Sequence, residues 1–272
     1  AILCLILFIG FIIKMVNGKD YKGLLKATGI MAVAVILAVL CNLSNFYGNY
    51  EMAQESIRGK SELSTPTESE KQSSGLDKDY AFAWSYGKSE TFSLLIPDIH
   101  GGASGGTLGT DSELYKQLRA HGAQVPPNGV QSYTYWGEQP FTSGPVYFGA
   151  IICFLFILGM ILIRSRMKWV LFVATVFFIF LYWGKNFELF NDLFFYHFPF
   201  YNKFRAVSTA LVIPALTMVI IAVWGLKEFF SGDFDKGKLL KSVYWAGGAT
   251  AGICLFFWLL PDFFFNFTSS MD

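Results

Sequence analysis

Long runs without charge limit this sequence more than any other feature. Residues 24–40 (broken only by Lys26), 146–163, 169–183, 207–226 and 242–260 are almost purely apolar. A helix crosses a bilayer with about 17–25 apolar residues, and most of these runs approach that length. The run 169–183 needs its flanks or a thin membrane. Residues 1–13 are equally apolar but too short to span, and read as a first helix missing its beginning. A signal peptide fits less well, because neither a basic n-region nor a small-residue cleavage site accompanies them. The expected fold is therefore all-α: a polytopic transmembrane helical bundle of about six membrane segments, the first truncated, with a long extracytoplasmic loop.

Composition agrees. Charged residues make up 15% of the chain and hydrophobic ones 53%, whereas soluble domains carry about 25% charge. No basic tract interleaved with aromatics is present, which argues against nucleic acid as a partner. Cys4, Cys41, Cys153 and Cys254 all lie in or beside apolar runs. They suggest packing rather than a disulfide framework or a metal site.

Three short connections set the topology. Residues 14–26, 164–168 and 227–241 hold eleven of the 21 Lys and Arg. Short cytoplasmic loops collect these cations, so all three should face inward. The organisation expected is two membrane helices in 1–41, an extracytoplasmic loop region in 42–145, four membrane helices in 146–260 and an extracytoplasmic tail in 261–272. Within the loop, residues 47–58 would extend the second helix. Residues 61–75 (SELSTPTESEKQSSG) have the composition of a flexible linker. Ser89 is expected to cap a short helix through Ile96, ended by Pro97. Thr110-Asp-Ser-Glu113 reads as a capping box, with Gly122 as the stop. The aromatic, turn-rich run 133–147 suits the membrane interface.

Residues 183–205 (WGKNFELFNDLFFYHFPFYNKFR) are the most informative. Lys185, Glu188 and Asp192 form one polar stripe at helical spacing, with Phe187, Phe190, Leu193 and Phe194 opposite. An interfacial helix near 185–198 follows, broken by Pro199, its aromatic side in lipid or against the bundle. Lys185, Lys203 and Arg205 then lie outside, against the positive-inside trend. Two readings stay open: they bind an anion such as a lipid phosphate, or they pair with Glu188 and Asp192 and fix the loop.

Other patterns carry less. The run 100–110 (HGGASGGTLGT) lacks the Gly-Lys-Ser/Thr ending of a phosphate loop and reads as a flexible outer loop. Asp98 and His100 are weak candidates for metal ligands and need further carboxylates, such as Asp77, Asp79 or Asp111, to converge. His121 and His197 read as interfacial or solvated. The spans hold no buried ionisable residue, which argues against ion-coupled transport.

Several strings resemble YfhO-family bacterial membrane proteins, in a form closest to that of Bacteroides-type bacteria. They are Gly75-Leu-Asp-Lys-Asp-Tyr80, Trp84-Ser-Tyr-Gly-Lys88, Leu94-Leu-Ile-Pro97, Gly101-Gly102, the run 135–147 (YWGEQPFTSGPVY), Trp183-Gly-Lys-Asn186 and Pro199-Phe-Tyr-Asn-Lys-Phe-Arg205. The likeness covers about residues 46–210. That family is similar to the GT-C glycosyltransferases, which take sugars from polyprenyl-phosphate carriers at the outer face of the cytoplasmic membrane.

The resemblance implies an internal fragment of such a protein in the bacterial inner membrane. Its partners would be membrane lipid and a polyprenyl-phosphate sugar donor. The catalytic carboxylate would lie in an earlier outer loop, outside this chain, and the full-length protein would be a candidate for a divalent metal. Lys185, His197, Tyr201, Asn202, Lys203 and Arg205 are the candidates for the lipid phosphate. Asp77, Lys78, Asp79, Trp84, Tyr86 and Lys88 are the loop candidates. The alternatives are a lipid-linked saccharide transporter or flippase, and a non-catalytic envelope assembly protein.

Overall fold

The computed structural model describes residues 2–56, 75–261, 265 and 267. The expected linker at 61–74, the end of the helical extension at 57–58 and most of the tail lie outside these. The chain is mostly helical. In order, its elements are α1 (Ile2–Asn17), α2 (Tyr21–Cys41), α3 (Leu43–Gln54), α4 (Lys78–Phe82), β1 (Gly106–Leu108), α5 (Glu113–Ala120), β2 (Val130–Ser132), α6 (Ala150–Leu162), α7 (Met167–Tyr182), α8 (Glu188–His197), α9 (Val212–Ser231) and α10 (Lys236–Leu259). They form two compact units, Ala1–Ala83 with Ser165–Pro214, and Trp84–Arg164 with Ala215–Asp272.

Among the described residues, three helical stretches are long and apolar enough to cross a membrane: Tyr21–Cys41, Val207–Ser231 and Lys236–Leu259. The pair α7 and Gly184–His197 meets the same test together, but bends by 115°. The chain is thus a multi-pass membrane protein by the length and composition of its helices. The run 146–163 forms less helix than expected. α6 has 13 residues, about 20 Å at 1.5 Å per residue, against about 30 Å of hydrocarbon. Its start is delayed because the N–H groups of Phe148 and Gly149 both turn to the Leu94 carbonyl at 3.2 Å, and Gly149 has φ 109°.

In the first unit, Asp20 caps α2 by accepting from the Gly23 N–H at 2.9 Å. No residue of α2 is buried, although the helix is apolar all round, which is how a lipid-facing helix presents itself. α1 packs on α7, where a Cβ at Gly10 would lie 2.7 Å from the Val170 methyls. The bend after α7 is held by Asn191, which is fully buried. Its amide donates to the carbonyls of Phe180, at 2.9 Å, and Phe187, at 3.2 Å. Carbonyls that leave the helical ladder at the bend thereby keep partners.

In the second unit, α6 and α10 share a core of Leu158, Leu162 and Ala246. α6 also crosses α9 at Gly159 and Gly225, where a Cβ on Gly159 would lie 2.5 Å from the Ile221 carbonyl oxygen. Arg164 ends this bundle by donating to the Asp233 carbonyl at 2.6 Å and lying over the Phe234 ring at 4.5 Å. Hydroxyls inside the apolar helices bond to their own backbone: Thr250 to Ala246 and Ser242 to Lys238. All four cysteines are free thiols.

The outer part of this unit departs from the sequence reading in three places. Residues Ser89–Leu94 form a 3-10 turn without a side-chain cap, in place of a helix to Ile96. Ser112, not Thr110, caps α5, accepting from Tyr115 N–H at 3.3 Å; Gly122 does follow the helix, at φ 78°. The glycine-rich run is partly strand: β1 pairs antiparallel with β2, Thr107 opposite Gln131.

Candidate functional site

The first unit brings together two of the segments singled out above. Asp77 caps α4 by accepting from the Tyr80 N–H at 3.0 Å. The short helix then lies on the chain that follows α8: Leu76 N–H donates to the Asn202 carbonyl at 2.9 Å, and Ala206 N–H to the Ala81 carbonyl at 3.2 Å. Phe82 and Phe195 pack at 5.4 Å between centroids, within a small core of Leu76, Ala81, Phe82 and Phe195 backed by Tyr201 and Val207. Phe200 and Ala206 adopt left-handed φ of 64° and 61°, which lets the chain turn twice within seven residues.

Charged groups sit on this clasp. Lys78 Nζ lies 2.8 Å and 3.0 Å from the two carboxylate oxygens of Asp192. The hydrogen bond to Asp192 raises the Lys78 pKa, against partial desolvation. The partner of Asp192 is thus Lys78, from across the chain, a pairing absent from the expected set. Arg205 Nη1 donates to the Tyr80 hydroxyl, and its guanidinium stands 5.6 Å over the same ring. Tyr80 therefore fixes Arg205 by two contacts, and sequence reasoning had not singled it out. Lys203 is half-buried, and burial lowers its pKa. Burial pushes Tyr201 up. Asp79, Lys185 and His197 are exposed; His197 Nδ1 lies 3.2 Å from the Leu193 carbonyl. Of the stripe's aromatic side, Phe187, Phe190 and Phe194 are half-buried, but Leu193 is 57% exposed.

The second unit holds a site that the sequence did not reveal. Glu90 has no exposed surface. Its carboxylate accepts from the Gly87 N–H at 2.5 Å and from the Tyr135 hydroxyl, and Tyr135 in turn accepts from the Gln139 N–H at 3.1 Å. The strings 84–88 and 135–140, noted separately above, meet here. Trp84 donates to the Phe141 carbonyl at 3.1 Å, and Tyr86 accepts from the Val146 N–H at 3.2 Å. Lys88 is exposed. The run 133–147 thus closes over a carboxylate through Tyr135 and Gln139, both buried. The only available sequence signal was a lone acid between the two aromatic strings.

Desolvation raises the Glu90 pKa, only partly offset by the bonds from Tyr135 and Gly87. A carboxyl raised on folding contributes stability below its unfolded value, near 4.5, and loses it as pH rises through the folded value. Wild-type melting temperature should therefore fall with rising pH in that window, relative to Glu90→Gln. Parallel melting profiles for the two proteins would refute this.

Asp98 is exposed and has φ 54°. His100 is buried, its ring edge-on to Phe265 at 5.0 Å. Neither ring nitrogen has a hydrogen bond of ordinary geometry, although the Trp136 and Ser89 backbones approach closely enough to favour the protonated ring. Burial outweighs them and lowers its pKa. Among the described residues, no three His, Cys, Asp or Glu side chains gather in a group that could hold a metal ion. Among those residues, Asp98 and His100 gather no third ligand of these types. No family model matches the chain, and no curated protein or solved structure does so either.

Proposed function

We propose that this chain is part of a YfhO-type, GT-C-like membrane protein that acts on polyprenyl-phosphate-linked sugars at the outer face of the bacterial cytoplasmic membrane. In this reading six membrane segments cross, the basic loops face inward and the region 42–145 faces outward. The clasp of the first unit binds the donor phosphate. The observation that supports it is the docking of residues 75–83 on 199–206, which sets Arg205 on Tyr80, two positions after the half-buried Lys203. An arginine held by a ring and a hydroxyl is pre-organised to bind a phosphate through two parallel hydrogen bonds.

The test uses the full-length protein in nanodiscs. Binding of a polyprenyl-phosphate sugar should weaken about 10- to 100-fold for Arg205→Ala, the loss of one charge-assisted contact. Arg205→Lys should lose much of the same affinity, because a point charge cannot replace the fork. Unchanged affinity with a lowered melting temperature in Arg205→Ala would reject the phosphate role and leave Arg205 as a structural partner of Tyr80.

A further inference from the structure

α8 divides into three flanks. Phe190 and Phe194 face α7, with ring centroids 5.4 Å and 5.3 Å from Phe177. Phe195 faces α4 through Phe82. Leu189, Leu193 and Tyr196 form the third, and they are 86%, 57% and 57% exposed. At 3.6 residues per turn the three flanks stand about 120° apart. Apart from Leu193, this open flank is not the side opposite the polar stripe, whose Phe190 and Phe194 lie against α7. Beyond the helix, Phe200 and Phe204 are likewise 66% and 69% exposed.

We infer that this open flank is a lipid contact: α8 lies along the bilayer surface with Leu189, Leu193 and Tyr196 dipped among the acyl chains. Three observations select lipid over a protein partner. First, α8 leaves the apolar α7 at a bend of 115°. The helix therefore runs sideways from the end of a membrane segment. Second, the exposed aromatics Phe200 and Phe204 alternate with Lys203 and Arg205, the mixture found at headgroup level. Third, exposed Lys185 stands just before the helix, and cations bracketing an apolar face suit an anionic lipid surface. The inference rests on the membrane reading of α7 and is independent of any sugar chemistry.

The experiment places single cysteines at Leu189 and Leu193, and a control at exposed Glu188, in a cysteine-free version of the chain. Each is spin-labelled and reconstituted in phosphatidylcholine–phosphatidylglycerol vesicles. Collision with oxygen reports lipid, and collision with a water-soluble nickel chelate reports solvent. Labels at Leu189 and Leu193 should favour oxygen, and the label at Glu188 the chelate. Chelate access at all three positions overturns the inference, and so does shielding of the flank from both reagents, which would mean that protein covers it. If either leucine variant fails to reach wild-type melting, Tyr196→Cys replaces it on the same flank.

Discussion

Gly101→Ala should destabilise the outer part of the second unit by about 2–5 kcal/mol. Two costs add. Gly101 has φ 78°, a left-handed conformation that costs a residue with a Cβ about 1–2 kcal/mol. The new Cβ would also overlap the Thr134 carbonyl oxygen and approach the Trp136 ring; overpacking of this kind costs about 1–3 kcal/mol. Nothing there yields cheaply, because the obstacle is backbone. Gly102 N–H donates to that same carbonyl at 2.9 Å, and Trp136 N–H donates to the His100 carbonyl at 3.1 Å. The change therefore breaks the pairing that carries residues 134–136 toward Glu90. Hydrogen exchange and Trp fluorescence against denaturant would measure it. The control is Gly105→Ala, whose Cβ meets nothing within 4 Å. Equal stabilities for the two variants would contradict the account.

Gly159→Val should separate α6 from α9 and cost about 2–3 kcal/mol by overpacking. A Cβ on Gly159 meets Ile221 backbone, and one on Gly225 meets Gly159 itself. Small residues permit this approach, and in a membrane close van der Waals packing is a main source of helix association. Gly248→Ala on α10, with open space around its Cβ, is the matching control. Thermal melting in lipid nanodiscs distinguishes them. A Gly159→Val protein that melts with wild type would show that the crossing does not limit stability.

The apolar runs made the helices legible, since a charge-free stretch near spanning length has few folds open to it. Caps at Asp20 and Asp235 follow the same local logic, each accepting from a backbone N–H at a helix start. Boundaries were harder where a remote partner intervenes. The start of α6 is set by Leu94, more than 50 residues earlier, so no reading of 146–163 alone could place it.

The candidate site divides in the same way. Sequence marked the cations Lys203 and Arg205 because the expected topology put them on the outer side, against the positive-inside trend, and it marked Asp77 and Lys78 within a separate string. It did not pair them. Lys78 meets Asp192 across 114 positions, and Arg205 meets Tyr80 across 125. Glu90 shows the limit most plainly, because a single acid between Ser89 and Thr91 looks like any solvated side chain. Its burial is decided by Gly87, Tyr135 and Gln139 converging from segments about 45 residues apart. By itself the sequence determined that these helices are made for lipid, because periodicity and charge act over neighbouring residues. Only the tertiary structure decided which polar groups meet, since desolvation and hydrogen bonding depend on what the fold brings within 3 Å.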